Sequence, residues 1–383
     1  MLPIVRNVPG AKDIRYAESV RGRALRRTHR GFAAVADEPL DILLVGDSMA
    51  AGHVATTPAK MWSRLLQDEL RRRWQPAGVT GGVGYLPAHR TRTFSGSPAL
   101  AGPFTWVNEP ADLAVYGLGM RHKALVAGVS ASVTVNATGF DIFWAGGPTT
   151  GSFTWSIDGG AATTVNTFKL TQSGGFVTQV RGLSSGSHDL LIEHASGGGV
   201  AFEGVMVYDG DEAAGIRVWE GGHSGWKASD FLDPLRSNLN TTDPRWLATV
   251  ATINPSAILI ALGANELGAK VPPATYRANL AELVAYLRAY TTPDADIVIV
   301  IEPQRHDHDN DTNPAIYPWA QYVNQVYALA RGDGAVGVCD LSARFGTHAY
   351  AAGIDLLDAN DKVHPSDLGH AVWANALAGY LEP

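Results

Sequence analysis

Two textures alternate along this chain, and their order constrains its fold more than any single residue does. Over 41–94 and again over 213–383, short apolar β-branched runs alternate with segments of helical period, the pattern of βα units around a parallel sheet. Strands are predicted at 41–45, 215–219, 257–262, 296–301 and 335–339, with helices near 58–74, 228–240, 273–290, 314–331 and 366–381. In the first helix Met61, Trp62, Leu65, Leu66 and Leu70 form one apolar stripe while Arg64, Arg71 and Arg72 fall largely elsewhere, as a helix covering a sheet requires. The stretch 95–212 is different. It is rich in Gly, Ser, Thr and Val, shows alternation at 132–135, 153–157 and 190–193, and carries turn signals such as Asp158-Gly159-Gly160 and Ser184-Ser185-Gly186. An antiparallel, jelly-roll-like β-sandwich is expected there, inserted into the α/β domain. Both of its ends return to one host, so they should leave and re-enter as neighbours at the host surface. Residues 1–40 are read as an N-terminal arm packed on the host.

Composition narrows the function classes. Of 383 residues 45% are hydrophobic and 17% charged, enough apolar material for a large core, which excludes a disordered chain; Gly 42 and Pro 21 fit long loops and turn-rich β structure. A formal net charge of −7 argues against nucleic acid as a partner, so the cluster Arg21, Arg23, Arg26, Arg27, Arg30 and the run Arg71, Arg72, Arg73 are read as local solvated or packing features. The single cysteine, Cys339, lies in an apolar run and is expected to be a buried, inert thiol. The opening segment MLPIVRNVPGAKDIRYAESV lacks the apolar core of a secretion signal, and no run approaches the roughly eighteen apolar residues of a membrane span. The expectation is a soluble chain, cytoplasmic or virion-associated and released by lysis, with its oligomeric state open.

Three local patterns carry chemistry. The first predicted strand ends in Val45-Gly46-Asp47-Ser48, and in an open parallel sheet ligands bind beyond the carboxyl ends of the strands. Ser48 is therefore well placed for a nucleophile, although Ala50 departs from the G-x-S-x-G elbow. Near the C-terminus stands Asp361-Lys362-Val363-His364-Pro365-Ser366. A serine hydroxyl needs a base, and the base needs a group that fixes its tautomer; an acid three residues before a histidine can do this from one loop. Pro365 biases His364 away from helix, while Ser366 and Asp367 suit the start of the last helix. Two further strand exits, Gly221-Gly222-His223-Ser224-Gly225 and Gly263-Ala264-Asn265-Glu266, offer a backbone amide at a glycine and a side-chain amide, the donors an ester oxyanion needs.

These blocks, in this order, resemble the SGNH hydrolase superfamily, also called GDSL-type esterases and lipases. The resemblance rests on Gly46-Asp47-Ser48, Gly225, Gly263-x-Asn265 and Asp361-x-x-His364-Pro365. It implies a flavodoxin-like three-layer α/β fold with a five-stranded parallel sheet in the order 2-1-3-4-5. It further implies Ser48 as nucleophile, His364 as base and Asp361 as its orienter, with the Ser48 and Gly225 amides and the Asn265 side chain as oxyanion donors. Glu266 stands where the family usually has Asp, and Glu220 where the second block usually has Asn. The β insert between the first and second blocks is unusual for the family. Similar inserts occur in hydrolases acting on carbohydrate surfaces, so the insert is a candidate carbohydrate binder.

The expected function is serine-dependent hydrolysis of carboxylic esters through an acyl-enzyme, with O-acetyl groups on a polysaccharide or cell-wall glycan as substrate and no metal or cofactor. A lipid or short-chain acyl hydrolase would use the same chemistry, and an inactive glycan-binding, phage-tail-type structural protein is the rival of another class. Asp47, Trp226, His223 and Glu266 are read as substrate-rim residues. The segment Glu302-Pro303-Gln304-Arg305-His306-Asp307-His308-Asp309-Asn310-Asp311 fits no tetrahedral or EF-hand spacing and is read as a polar rim loop. Trp144, Trp155 and Trp319 are read as core fillers rather than sugar platforms, and His53, His122, His194 and His370 as structural or surface residues.

Overall fold

A run of β-branched and aliphatic residues with no polar alternation cannot face water on either side, and five such runs form the centre of the protein. The computed structural model describes residues 24–89, 92–94, 97–100, 102–233, 245–291, 295–304 and 316–383. Strands β1 (Leu40–Gly46), β2 (Ile216–Gly222), β3 (Ala257–Ala261), β4 (Asp296–Ile301) and β5 (Val336–Asp340) make an all-parallel sheet in the order β2-β1-β3-β4-β5. That is the 2-1-3-4-5 order which the family resemblance implies.

Alternation along β1 separates the two covering layers. Ile42 and Leu44 meet Leu66 and Leu70 of α2 (Trp62–Trp74), Trp373 and Leu377 of α6 (Asp367–Leu381), and Phe32 of α1 (Arg26–Ala34). Leu43 and Val45 face the other way, into a core shared with Trp246 of α3 (Arg245–Ile253), Leu280 and Leu283 of α4 (Pro273–Tyr290) and Tyr322 of α5 (Trp319–Gly332). Helix α3 was not among the sequence expectations. Cys339, the single cysteine, is buried within β5. Among the described residues no helix is long and apolar enough to cross a membrane.

The insert is a sandwich of two antiparallel sheets. One orders Thr163–Asn166, Ser152–Ile157, Ser187–Ser196, Ser130–Asn136 and Thr105–Val107; the other orders Ser173–Val180, Gly139–Gly146, Val200–Tyr208, Met120–Leu125 and Asp112–Gly117. Gly84–Pro87, within the 41–94 stretch assigned to the host, pairs with Val200–Tyr208 and so extends the second sheet. This second sheet is buried on both faces. Phe140, Ile142 and Phe202 point into the sandwich core with Phe153, Leu190 and Ile192, while Phe143 and Met206 point into the host core with Trp219. The Phe143 and Trp219 rings meet edge to face at 5.6 Å.

The two crossings between host and insert are neighbours, and arginines hold them together. Arg71 Nη1 donates to the Gly82 carbonyl at 2.6 Å and Nη2 to Asp211 at 2.8 Å, while the Gly81 amide donates to the Asp209 carbonyl at 2.8 Å. Arg217 clamps Asp41 with two bonds of 2.7 and 2.6 Å and also reaches the Asp211 and Glu212 carbonyls. Both pairs are nearly buried, and the Arg217–Asp41 pair is two-pronged, the strongest form of guanidinium–carboxylate contact.

Candidate active site

The exit of β1 is shaped by a close approach that only glycine permits. A Cβ at Gly46 would lie 2.3 Å from the Ala261 carbonyl oxygen of β3, so the chain turns there against its neighbour strand. The turn is held by Asp47, whose Oδ1 accepts the Met49 amide at 2.8 Å, and by the His53 amide, which donates to the Ser48 carbonyl at 3.0 Å. Ser48 thus stands at the carboxyl end of the central strand on a braced backbone.

From 316 residues away His364 reaches it, with Nε2 2.7 Å from Ser48 Oγ. The histidine loop is closed by the Asp358 amide donating to the His364 carbonyl at 2.9 Å and by the Ser366 amide donating to the Leu356 carbonyl at 3.0 Å. Ser366 caps α6 by accepting the Gly369 amide. Asp361 Oδ1 accepts the Val363 and His364 amides, and Oδ2 lies 2.6 Å from His364 Nδ1. Burial acts to raise the Asp361 carboxyl; the His364 contact and the two amides outweigh it and hold the group below its ordinary range. An ionised Asp361 can only accept, so Nδ1 carries a proton, and in the neutral imidazole Nε2 then presents a lone pair to the Ser48 hydroxyl. That is the state in which an imidazole can take a hydroxyl proton.

The oxyanion candidates converge from two other strand exits. Gly225, in the left-handed region at φ +79°, has an amide with no acceptor among the described residues, and the Ser48 amide has none either. Asn265 Nδ2 donates to Asp47 Oδ2 at 2.8 Å and to the Trp226 carbonyl at 3.0 Å. Both donor positions of that amide are occupied, so an incoming oxyanion competes with the Trp226 carbonyl for one of them.

The four residues read as substrate rim do not line a rim. Asp47, Trp226, His223 and Glu266 are all buried: His223 and Trp226 lie against the insert residues Gly117, Leu118 and Tyr116, while Asp47 and Glu266 are bonded to the turns beyond the strand ends. His223 donates Nε2–H to the Gly117 and Leu118 carbonyls of the insert, both at 3.0 Å, and burial lowers its pKa to about 4 despite those acceptors, so it stays neutral. Trp226 packs against the His223 ring at 4.2 Å and edge-on to Tyr116. Glu266 Oε1 accepts the Ala228 amide at 2.6 Å; burial first, then the Asp47 charge, pushes its carboxyl up to about 7. Glu302 Oε2 likewise accepts the Ala264 amide at 2.9 Å, and burial drives it well above the usual carboxylate range.

Trp144 and Trp319 are buried against Phe176 and Tyr322, as core fillers. The His306–Asp311 part of the acidic loop lies outside the described residues. Sequence reasoning missed His53, whose Nε2 lies 2.6 Å from Ser224 Oγ and whose ring lies 5.3 Å from that of His364. Its offset from Ser48 was visible, but its partner is 171 residues away.

Residues 207–372 match the sequence profile described as the GDSL-like Lipase/Acylhydrolase family. No curated protein matches the chain. Among solved structures, a peptidoglycan O-acetylesterase aligns with TM-score 0.65 at 17% identity, covering 94% of this chain and 96% of that one. A family 2 carbohydrate esterase with a carbohydrate-binding domain from Corynascus thermopiles (Myceliophthora fergusii) aligns at TM-score 0.35 and 16% identity, over 73% of this chain and 98% of its own. A family two carbohydrate esterase from Cellvibrio japonicus gives 0.34 and 15%, over 73% and 94%. At such identity the first likeness is one of fold, and it spans both the α/β domain and the insert.

Proposed function

We propose that this chain, whose 207–372 segment belongs to the GDSL-like acylhydrolases of the SGNH superfamily, is a serine esterase that removes O-acetyl groups from a polysaccharide or cell-wall glycan. The observation that carries the reading is the hydrogen-bonded series Ser48 Oγ, His364 Nε2, His364 Nδ1, Asp361 Oδ2, with contacts of 2.7 and 2.6 Å. Supporting the acetylated glycan is the shared fold, across both domains, with a peptidoglycan O-acetylesterase.

In this scheme His364 Nε2 takes the Ser48 proton as Oγ attacks the acetyl carbonyl. The negative charge that develops on the carbonyl oxygen is met by the Ser48 and Gly225 amides and by Asn265. The two backbone amides are fixed donors that stabilise a transition state without having to reorganise as charge appears, whereas Asn265 exchanges its bond to the Trp226 carbonyl for one to the oxyanion. His364 then gives its proton to the departing sugar oxygen, leaving acetyl-Ser48. Water, deprotonated by His364, attacks the acetyl group; acetate leaves and the serine is protonated again. Asp361 stabilises the imidazolium in each half-reaction and keeps Nδ1 protonated.

The test is acetate release from O-acetylated peptidoglycan, acetylated xylan and acetylated chitin oligomers, alongside p-nitrophenyl acetate. Wild type should release acetate from at least one glycan, and Ser48→Ala should lose that activity while staying folded. A wild type that hydrolyses no ester on the panel yet binds the glycans would make the protein a binding module. Cleavage confined to long-chain acyl esters would make it a lipid hydrolase.

A further inference from the structure

We infer that His53 and Ser224 are positioning residues that lock the Gly225 amide into the oxyanion site, an inference that rests on the esterase reading. Gly225 is exposed, and even an added Cβ would meet nothing within 4 Å among the described residues. A glycine in such a place has wide backbone freedom, so the direction of its N–H has to be fixed by its neighbours. After it, the Trp226 amide donates to the His223 carbonyl at 3.1 Å. Before it, the His223 amide donates to the Gly46 carbonyl at 2.7 Å, and the Ser224 amide faces Met120 Sδ, a weak acceptor, at 3.1 Å.

The Ser224 side chain makes a different kind of contact. Its Oγ lies 2.6 Å from His53 Nε2, and the His53 amide donates to the carbonyl of Ser48 itself. Ser48, His53, Ser224 and Gly225 therefore form a continuous series in which the backbone of the nucleophile's residue holds, through His53, the residue next to the oxyanion amide. His53 is anchored in turn: its carbonyl accepts His370 Nε2–H at 3.0 Å, and its ring is buried beside His364. His370 is fully buried, with Nδ1 3.4 Å from the Trp62 amide, so the support reaches into helix α2. Among the contacts that join the two halves of the site, the His53–Ser224 hydrogen bond is the one made by the side chain directly before Gly225. Break it, and Ser224 with the Gly225 N–H can drift relative to Ser48 although every group in the proposed reaction remains present.

The experiment uses the full chain and p-nitrophenyl acetate, with a trifluoromethyl ketone as probe, because its hemiketal on the serine places an oxyanion where the reaction does. Ser224→Ala should lower kcat by between about tenfold and a hundredfold with little change in KM, since the loss falls on the transition state. Ketone affinity should fall by a similar factor, and Ser224→Thr, which keeps a hydroxyl, should restore both. His53→Phe keeps a ring and removes the nitrogen, so it repeats the test from the other side if Ser224→Ala does not fold. The inference is overturned if the variants keep kcat and ketone affinity within about twofold of wild type, or if kcat falls while ketone affinity is retained. Wild-type hydrolysis that Ser48→Ala abolishes reports on the esterase reading by itself. An inert wild type would sink that reading and this inference together.

Discussion

Replacing Glu266 by glutamine should make the protein relatively more stable as pH rises, and the size follows from where the carboxyl lies. Glu266 is fully buried, its Oε1 accepts the Ala228 amide, and its Oε2 has no hydrogen-bond partner among the described residues. Burial, then the Asp47 charge, oppose ionisation; the Ala228 amide and the Lys227 charge favour it, and the balance lifts the pKa from 4.5 to about 7. Between those two values the folded chain holds a proton that the unfolded chain has released. Stability therefore falls as pH climbs through this window and is level above it. At about 1.4 kcal/mol per pH unit, the loss amounts to about 3 kcal/mol. Glutamine keeps an oxygen for the Ala228 amide and does not titrate, so its own cost is constant with pH. Urea unfolding of both proteins, followed by tryptophan fluorescence at pH 4.5 and pH 8, measures the difference. The stability of Glu266→Gln relative to wild type should improve by about 3 kcal/mol between the two pH values. Parallel curves at the two pH values would show that Glu266 ionises in the folded protein as it does in water, and the argument from burial would be wrong.

Two further outcomes follow from the site. Asp361→Asn should cost about ten-thousandfold in kcat with the fold intact, because an amide donor facing His364 Nδ1 would favour the tautomer that puts a proton, rather than a lone pair, toward Ser48; near-normal turnover of the purified variant would remove Asp361 from the scheme. Prolonged dialysis against EDTA should leave p-nitrophenyl acetate hydrolysis unchanged, since every step proposed here is carried by side chains and backbone amides, and loss of activity restored by a divalent cation would refute that scheme.

How much of this was legible in the sequence depended on how far the physical cause extended along the chain. The five parallel strands announced themselves because burial on both faces demands uninterrupted apolar runs, and the order 2-1-3-4-5 came with the family resemblance. Ser48, Asp361 and His364 could be proposed as a set because each belongs to a short local pattern at the end of a strand or the start of a helix. Gly84–Pro87 was missed for the opposite reason: a four-residue strand has too little pattern of its own, and it is defined by a partner at Gly204–Val207. The hydrogen bond between His53 and Ser224 is likewise invisible until the fold brings the first two strand exits together.

The misreading of Asp47 and Glu266 as rim residues, and of Glu302 as the start of a polar rim loop, has a common physical source. Acidic residues just past a strand end look like surface groups, because loops are ordinarily wet. Here the exits of β1, β2 and β3 are bonded to one another, and that of β2 also to the insert, where a buried backbone N–H that has left the sheet ladder still requires an acceptor. Asp47 supplies one to Met49 within its own turn, Glu266 after β3 supplies one to Ala228 after β2, and Glu302 after β4 supplies one to Ala264 after β3. Each acid past β3 and β4 thus holds the turn of an earlier strand in the chain. The same Asp47 accepts from Asn265, so the proposed oxyanion donors are set in place by buried carboxyls two of which burial keeps from ionising readily. A carboxyl that remains protonated can accept an amide bond without placing a full negative charge beneath a site where the reaction must accumulate one.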